Sequence, residues 1–519
     1  MQNLFEKLDE ESATGPDLLP ARILKFCAAE LASPLHQLLL VILRDGKWPT
    51  AWMRHWICPI HKRKALCDPR NYRGVHLTAQ ISKVAERALQ AMWVPTLVQI
   101  GAFGENQFAY LPGRGSRDAL ALAVLTWITG FSQGQRFAVY CSDVSGAFDK
   151  VQKSRLIQKL QASGIGPRIR RVLESWLGDR EAHVVVEGQS SKSMPLSNMV
   201  YQGTVFGPPL WNLHYADARH AVRRASFSEL VFADDLNAFK GFEKEVTDED
   251  ITKEMEECQK SLHAWGRANQ VEFDPGKESK HILATRGRGS GGPFKLLGVR
   301  FDVGLIMDGA IHEIARDASW KLSTILRTSR YFNIRELVGL YKSKILSFIE
   351  CKTAALYHAC SSHLDHLDRI QRRFLREIGV NELEALMEFN LAPLSSRRDM
   401  AMMGLIHRSV LRQGPESFGQ FFRLSTQPQS CHRTRAATRR HSRQLQDIRS
   451  GGFLEIERRS ALGLASVYNL LPEDVVQAPS VSCFQTLLQG ILRERACAGF
   501  EDWPDTFSPR IEMYRHPLY

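Results

Sequence analysis

Two short apolar strands, each ending in aspartate, constrain the fold of this chain more than any other feature. The run Phe137–Cys141 precedes Asp143, and the run Leu230–Ala233 precedes the pair Asp234–Asp235. Short apolar runs of this kind are typical of buried strands. Carboxylates crowded at the ends of buried strands repel each other, and the loss of water strengthens the repulsion. The pattern therefore predicts a buried sheet with three acids at its edge and a cation that neutralises them.

Magnesium is the cation that this pattern favours. Mg²⁺ takes oxygen ligands, usually one or two carboxylates together with substrate phosphates. Two such ions, roughly 3.5–4 Å apart, stabilise both the attacking and the leaving oxygen of a phosphoryl transfer. An isolated Asp-Asp pair more often lies in a solvated turn, and Asp143 alone could cap a helix that starts at Val144. The prediction therefore depends on the combination of the two strand ends.

The net charge points to an anionic partner. Lys and Arg number 68 against 56 Asp and Glu, which gives +12 at pH 7. Nucleic acid is the first candidate for such a chain, and a soluble protein that is simply basic is the alternative. A length of 519 residues is enough for about two to four domains or subdomains.

Cysteine usage and hydropathy predict an intracellular protein. The ten Cys are scattered singly without a CxxC pair, as expected for reduced thiols and not for a disulfide framework. The N-terminus carries acids where a signal peptide would carry bases. The longest apolar run, Leu38–Leu43, is too short to span a bilayer. We therefore expect a protein of the nucleus or cytoplasm with no membrane partner.

A group of Cys and His invites a zinc interpretation, which we disfavour. Its members fit no zinc-ligand spacing, and the periodicity around them predicts a helix and a helix junction. They are Cys351, His358, Cys360, His363 and His366.

Periodicity predicts helices at both ends of the chain and a mixed centre. The first helical stretch, 18–44, should break at Pro34 and end before Gly46. Strands are expected within 52–80 and at 137–141, 183–200, 230–240 and 294–301. Helices are expected at 81–98, 116–130, 211–224 and 248–266, and from about 305 onward. This order defines an α+β chain.

Seven segments carry recognisable motifs: Asp68–Leu77, Gln107–Ser116, Asp143–Asp149, Tyr201–Pro208, Phe232–Asp235, Phe273–Lys277 and Leu296–Val299. In this order they resemble the motifs of reverse transcriptases. The resemblance covers roughly residues 12–380 and is closest to non-LTR, LINE-like retrotransposons. Gly74 and Phe206 depart from the family, which usually has Pro and often Leu there.

The resemblance implies a right-hand polymerase fold. Residues 1–50 would form an N-terminal helical extension, 51–302 the fingers and palm, and 303–385 a helical thumb. Residues 386–519 would form a helical C-terminal extension with a basic segment near 430–449, rich in Arg and His. That segment could bind RNA, act as a nuclear signal or be a solvated linker.

The resemblance also implies roles for individual residues. The catalytic set is Asp143, Asp234, Asp235 and Lys277, the last protonating pyrophosphate. Two Mg²⁺ ions, with Mn²⁺ as a substitute, would be held by Asp143, the backbone carbonyl of Val144, Asp234 and Asp235. The nucleotide-binding set is Lys62, Arg73, Phe148, Gln202 and Gly203. The arginines of a predicted thumb helix would contact nucleic-acid phosphates: Arg369, Arg372, Arg373 and Arg376.

Each of these side chains also has a purely structural interpretation. Phe148 would exclude a ribose 2′-hydroxyl, or it is an ordinary core residue. Arg73 and Lys62 would meet the triphosphate, or they belong to a solvated basic loop. Apolar residues at helical spacing predict a stripe along the thumb helix: Leu367, Ile370, Phe374, Leu375 and Ile378. The thumb arginines would follow the duplex, or they form a solvated helix face.

The sequence thus predicts an RNA-directed DNA polymerase that uses an RNA template, a DNA primer and dNTPs. The alternative is a catalytically silent, nucleic-acid-binding remnant of a retroelement, and the intact acids argue against it. A viral-type RNA polymerase is disfavoured by Phe148 and by Ala233.

Overall fold

The computed structural model describes residues 1–62, 65–178, 180–285, 289–425, 441–446 and 455–519. Two compact units share the chain. The first consists of Met1–Leu111, Ser142–Asn237 and Glu256–Glu278. The second consists of Pro112–Cys141, Ala238–Met255 and Ser279–Tyr519.

The strands of the described residues, in chain order, are β1 (Arg54–His61), β2 (Tyr72–Leu77), β3 (Arg136–Ser142), β4 (Arg180–Val186), β5 (Gln189–Ser190), β6 (Met194–Leu196), β7 (Ser228–Phe232), β8 (Asp235–Phe242), β9 (Ser279–Leu283), β10 (Phe294–Leu296) and β11 (Val299–Phe301).

The α-helices of the described residues are α1 (Gln2–Glu6), α2 (Ala21–Phe26), α3 (Ala28–Asp45), α4 (Gln80–Gln90), α5 (Val94–Gln99), α6 (Ser116–Ser132), α7 (Lys153–Ala162), α8 (Pro167–Trp176), α9 (Gly207–Tyr215), α10 (Ala218–Arg224), α11 (Asp248–Asn269), α12 (Asp308–Arg327), α13 (Ile334–Tyr341), α14 (Ser347–Glu350), α15 (Thr353–Leu356), α16 (Ser361–Glu377), α17 (Glu382–Phe389), α18 (Leu394–Val410), α19 (Glu455–Arg458), α20 (Ala461–Tyr468), α21 (Glu473–Val476) and α22 (Val481–Cys497).

The first unit contains a sheet built on β1. Strand β1 pairs antiparallel with β2 and parallel with β4, and β4 in turn pairs with β5 and β6. Beside this sheet lies an aromatic cluster, in which Phe206 contacts the rings of Trp48, Trp93 and Trp176 at centroid distances of 5.9, 6.0 and 5.4 Å. Phe206 is fully buried, so the departure from Leu at this position fills a core site.

The second unit has its own strands and a long helical part. Strand β3 lies between β8 and β9, and its residues from Phe137 to Cys141 face Leu283 to Ser279 in antiparallel register. Helix α6 is apolar on nearly all sides and buried along most of its length, as expected for a helix surrounded by other elements. In the helical part, the rings of Tyr341 and Phe374 stack at 4.3 Å.

The mixed centre between helical ends agrees with the predicted α+β class, but four local predictions were wrong. Pro34 lies inside α3, and the break falls at Cys27. The apolar face of α3 continues past Pro34, with Leu35 and Leu39 buried, and we attribute the tolerance of the proline to this packing. The predicted helix 81–98 is interrupted between α4 and α5, and the predicted helix 211–224 is interrupted between α9 and α10. The predicted strand 294–301 is a hairpin, because Leu297 and Gly298 both have positive φ.

Other predictions for the helical part meet the structure only in places. His358, one of the residues of the disfavoured zinc interpretation, is buried, and its Nε2 lies 3.0 Å from the backbone oxygen of Leu305. Most of the basic segment, including His432, Arg433, Arg435, Arg439, Arg440 and Arg449, lies outside the described residues. His441 and Arg443 are described, and both bind backbone oxygens of the second unit. Within the described ranges, no helix is both long and apolar enough to cross a membrane.

Candidate catalytic carboxylate site

The acidic pair lies at the turn of the β7–β8 hairpin in the first unit. Ala233, which precedes the pair, has a φ of +59°. This left-handed conformation is unusual for a residue with a Cβ atom and costs on the order of 1–3 kcal/mol. The turn that presents Asp234 and Asp235 is therefore strained and depends on its surroundings.

Two buried side chains hold this turn by its backbone. The Oε1 atom of Gln107 accepts a hydrogen bond from the amide of Ala233 at 3.1 Å. The carbonyl oxygen of Ala233 accepts one from Trp211 Nε1 at 3.1 Å and a longer one from Gln107 Nε2 at 3.5 Å. Gln107 is 3% exposed and Trp211 is fully buried. The amide and the carbonyl of Ala233 therefore both have hydrogen-bond partners that are shielded from water.

Asp143 is brought to the same place by its own backbone. Its carbonyl oxygen accepts a hydrogen bond from the amide of Asp274 at 2.9 Å, and Val144 forms an antiparallel bridge with Phe273. The preceding Ser142 donates through Oγ to the carbonyl of Leu236 at 3.0 Å. The carboxyl groups of Asp143 and Asp235 are consequently close enough to hydrogen-bond.

Burial and mutual repulsion perturb these acids. Burial, the hydrogen bond with Asp143 and the charges of Asp234 and Asp143 together raise the pKa of Asp235 to about 7. Burial and the charge of Asp143 also raise the pKa of Asp234, while Lys277 and Arg73 oppose the shift. Asp235 is therefore the acid of this cluster that takes up a proton near neutral pH.

Lys277 supplies a positive charge to the cluster. Its Nζ atom forms an ion pair with Asp143 and lies 3.7 Å from Asp274. Burial lowers the pKa of Lys277, but the hydrogen bond and charge of Asp143 outweigh burial, so the pKa is raised overall. The predicted catalytic lysine therefore lies within the carboxylate cluster.

The two predicted phosphate-binding cations lie at different positions. Arg73 is exposed on β2, and its charge reaches both Asp234 and the half-exposed Tyr110. Lys62 lies after the end of β1, where its Nζ donates to the backbone oxygen of Arg70 at 3.0 Å. The structure thus brings Arg73 to the carboxylates, whereas Lys62 contacts the loop that connects β1 and β2.

Gln202 and Gly203 lie against β2 through their backbone. The carbonyl of Gln202 accepts a hydrogen bond from the amide of His76 at 2.7 Å. Gly203 has a φ of +103°, and a Cβ atom there would lie 2.7 Å from the carbonyl oxygen of His76. Both the conformation and the close approach require glycine. The loop also depends on Glu86, a fully buried acid that accepts hydrogen bonds from the amides of Val205 and Phe206 at 2.7 and 3.0 Å.

Phe148 is half-buried, and Trp211 connects it to the acidic turn. The two rings stack at a centroid distance of 5.7 Å and an angle of 23°. Trp211 also stacks on Tyr215 at 5.2 Å. Tyr215 is buried, and the charges of the three aspartates help to raise its pKa well above the usual value. Phe148 is therefore connected by packing to the residue that holds Ala233.

Sequence reasoning assigned no role to Gln107, Trp211, Glu86 or Tyr215. Gln107 belongs to one of the recognised motifs, but its contact with a backbone amide far along the chain leaves no mark in periodicity or spacing. Glu86 carried a weak signal, because an acid in an otherwise amphipathic helix is normally exposed.

The donor set suits a hard divalent cation. Three clustered carboxylates supply oxygen ligands of the kind that Mg²⁺ and Mn²⁺ prefer, and the raised pKa values of Asp234 and Asp235 show negative charge that is incompletely balanced. Within the described part of the chain, no three His, Cys, Asp or Glu side chains are already arranged around a common metal position. The carboxylates are thus assembled, while their role as metal ligands stays a prediction.

The predicted nucleic-acid helix, α16, belongs to the second unit. Leu367, Ile370 and Phe374 are buried along one side, which confirms the predicted apolar stripe. Arg369 and Arg372 both pair with Asp365, the first at 2.7 Å. Arg373 and Arg376 are exposed. Part of the positive charge of this face is therefore already balanced within the helix.

Residues 60–301 match a family model described as "Reverse transcriptase (RNA-dependent DNA polymerase)". The chain thus carries a reverse transcriptase domain, which contains the carboxylate cluster described above. That domain is similar to those of non-LTR, LINE-like retrotransposons.

Two curated relatives are each named "RNA-directed DNA polymerase from mobile element jockey". The protein of Drosophila melanogaster is 24% identical over 398 residues, and that of Drosophila funebris 22% over 397 residues. In both cases the match covers 73% of this chain and 43% of the relative. The chain therefore spans less than half the length of these relatives. A solved structure of apo telomerase from Candida tropicalis, truncated from its C-terminal domain, is 12% identical with a TM-score of 0.35, covering 49% of this chain and 54% of that one.

Replacing Gly203 by alanine should destabilise the first unit more than the same change at Gly188. Both glycines have positive φ, but a Cβ atom at Gly188 meets nothing within 4 Å. Gly188→Ala should cost roughly 1–2 kcal/mol from the left-handed conformation alone. Gly203→Ala adds a clash worth about 1–3 kcal/mol. Chemical denaturation of both variants measures the difference, and equal losses would contradict the close approach to His76.

Metal affinity should fall as the pH decreases below about 7. Because the pKa of Asp235 is raised to about 7, Asp235 is protonated below this pH and a cation must displace the proton. The dissociation constant for Mn²⁺, followed by electron paramagnetic resonance, should rise by up to about tenfold per pH unit between pH 7 and 5.5. Asp235→Asn should flatten this dependence. An affinity that is constant over this range in the wild-type protein would refute the raised pKa of Asp235.

Proposed function

We propose that this chain is an RNA-directed DNA polymerase that extends a DNA primer on an RNA template by two-metal nucleotidyl transfer. The observation that carries the proposal is that Asp143 pairs closely with Asp235, and that Asp235 shares its hairpin turn with Asp234. The match of residues 60–301 to the reverse transcriptase family supports it. The mobility of a retrotransposon is the process that this activity would serve.

The divalent cations would be held by Asp143, Asp234, Asp235 and the backbone carbonyl of Val144. Bound Mg²⁺, or Mn²⁺ in its place, supplies positive charge to the attacking and leaving oxygens of the transfer. Asp235 must release its proton first, so activity should require a pH at which this carboxyl is ionised. Lys277 must also exchange its ion pair with Asp143 for a contact with the substrate.

The remaining residues would bind the nucleotide and accept its products. Arg73 lies on the side of Asp234, where its planar guanidinium can bind triphosphate oxygens. When the primer 3′-oxygen forms its bond to the α-phosphorus, the bond to pyrophosphate breaks, and Lys277 can donate a proton to the leaving oxygen. Gln202 and Gly203 would line the base-pair side of the pocket, and Lys62 would lie on the approach of the triphosphate.

Phe148 would distinguish deoxyribose from ribose. Its ring is half-buried and stacked on Trp211, so it cannot move aside without breaking that contact. A ring fixed below the incoming sugar excludes a 2′-hydroxyl by a clash and not by a hydrogen bond. This favours DNA as the product.

We assign the subdomains as the sequence predicts them. The fingers would take about 51–135 and part of 160–195, the palm about 136–160 and 196–302, and the thumb 303–385. Residues 1–50 and 386–519 would be helical extensions. Arg373 and Arg376 on α16 are exposed and would contact template–primer phosphates directly. Arg369 and Arg372 would do so in competition with Asp365.

Asp234→Asn should abolish primer extension and leave template–primer binding nearly intact. The change removes one carboxylate charge while it preserves size, so stabilisation of the charge that develops on the reacting oxygens is lost. We expect kcat on an RNA template with Mg²⁺ and dNTPs to fall by at least about a hundredfold. Asp474→Asn, at an exposed position on α21, is the control and should extend normally. A wild-type protein that binds RNA but never extends a primer would instead favour the catalytically silent remnant.

Phe148→Ala should allow ribonucleotides to be incorporated. In the wild-type protein, forcing a 2′-hydroxyl against the ring should cost about 1–3 kcal/mol, which corresponds to roughly ten- to two-hundredfold discrimination. The variant removes the clash but leaves the carboxylates in place. The kcat/KM values for a matched dNTP and rNTP on one RNA template measure the effect. An unchanged ratio would make Phe148 a core residue only.

A further inference from the structure

The turn that carries Asp234 and Asp235 needs a partner outside the hairpin. Ala233 has a φ of +59°, a conformation that a residue with a Cβ atom adopts only when its surroundings impose it. Something must therefore hold the peptide groups of Ala233 in this orientation.

We propose that Gln107 is a positioning residue for the reaction, which fixes the direction of Asp234 and Asp235 through the backbone of Ala233. The inference rests on the proposed polymerase function for its catalytic consequence. Gln107 itself touches neither substrate nor the reacting atoms. Its action is to keep the acidic turn in its strained conformation.

The geometry of the Gln107 side chain supports this role. Its Oε1 atom accepts hydrogen bonds from the amide of Ala109 at 2.9 Å and from the amide of Ala233 at 3.1 Å. The first bond fixes the side chain to its own segment, and the second transfers that position to the turn. Both bonds are made to a residue that is 3% exposed, so water competes weakly for either amide.

The segment that carries Gln107 is in turn fixed to the hairpin. The amide of Phe108 donates to the carbonyl of Val231 at 2.9 Å, and the amide of Val231 donates to the carbonyl of Asn106 at 2.9 Å. Gln107 and Val231 thus form a parallel bridge. Both the amide and the carbonyl of Val231 are hydrogen-bonded to the segment of Gln107. Backbone pairing therefore sets the position of Gln107 relative to Ala233, which lies two residues after Val231.

Trp211 completes the arrangement from a second direction. Its Nε1 atom donates to the carbonyl of Ala233 at 3.1 Å, while its ring stacks on Phe148. Gln107 thus holds the amide of Ala233, and Trp211 holds the carbonyl. Removing the glutamine contact leaves the carbonyl bound but frees the amide to rotate, which changes the direction of the following carboxylates.

The chain offers a matched control for Gln107. Gln80 is also 3% exposed and lies in the same unit, and its amide group binds a backbone oxygen, that of Ala13, at 2.5 Å. Replacing either glutamine by methionine keeps length and volume while it removes the polar group. Both variants lose a buried hydrogen bond, but only Gln107→Met loses the contact with Ala233.

Mn²⁺ binding and primer extension are measured for both variants. We expect Gln107→Met to raise the dissociation constant for Mn²⁺ about tenfold and to lower kcat at saturating Mn²⁺ by about tenfold or more. Gln80→Met should lower the melting temperature without changing either quantity. Wild-type Mn²⁺ affinity and kcat in Gln107→Met would overturn the proposal, as would equal losses in the two variants.

A second substitution distinguishes positioning from packing. Glycine adopts positive φ without strain, so Ala233→Gly in the Gln107→Met background should restore Mn²⁺ affinity to within about threefold of wild type. If the double variant stays as impaired as Gln107→Met, the residue acts by packing and the proposal fails. The expected rescue is specific to the conformation of residue 233.

Thermal unfolding tests the contact without reference to activity. If Gln107 imposes the φ of Ala233, then Ala233→Gly should change the melting temperature by different amounts in the wild-type and Gln107→Met backgrounds, by about 2 °C or more. Additive changes would overturn the inference even in a protein that extends no primer. Absence of extension with this coupling intact would reject the proposed function and leave the positioning role established.

Discussion

The repulsion among three partly buried carboxylates is the constraint on which the rest of the site depends. Asp143, Asp234 and Asp235 come from two distant parts of the chain, and the charge of Asp143 raises the pKa of both Asp234 and Asp235. Such a cluster is stable only where cations and fixed hydrogen bonds surround it. Lys277 supplies a cation by direct contact, and Arg73 supplies one at longer range. The same imbalance would favour a divalent metal at the cluster.

Fixed hydrogen bonds in the surrounding structure oppose this repulsion. Ala233 is held in a strained conformation, and the loop of Gln202 and Gly203 is held against β2 and by Glu86. Trp211 connects the acidic turn to Phe148, because it donates a hydrogen bond to the turn and stacks on the phenylalanine ring. The acidic turn and Phe148 would therefore share one buried support, so a substitution that displaces one of them should also displace the other.

The sequence was sufficient to predict the strand ends, their acids and the family, because each acid follows an apolar run and the motifs keep their order. It was also sufficient for the apolar stripe of α16. It could not predict that Asp365 pairs with Arg369 and Arg372, because each of these side chains has several neighbours at helical spacing. It placed a helix break at Pro34, where packing overrides the local preference. Contacts between side chains and distant peptide groups, as at Gln107 and Glu86, have no local pattern at all.

Gln107 and Glu86 make their contacts to main-chain amides, and this affects which substitutions such a site tolerates over time. An amide is present at nearly every position, so Ala233, Val205 and Phe206 can be exchanged for other residues while the bonds to them persist. Glu86 already holds a loop in which Phe206 replaces the usual leucine. Substitutions should therefore accumulate at residues that are bound only through their main-chain amides. They should be rarer at Gln107 and Glu86, whose side chains bind those amides. In a chain copied without selection, the carboxylate cluster would keep its arrangement until drift reaches Gln107 or Glu86 or the acids themselves.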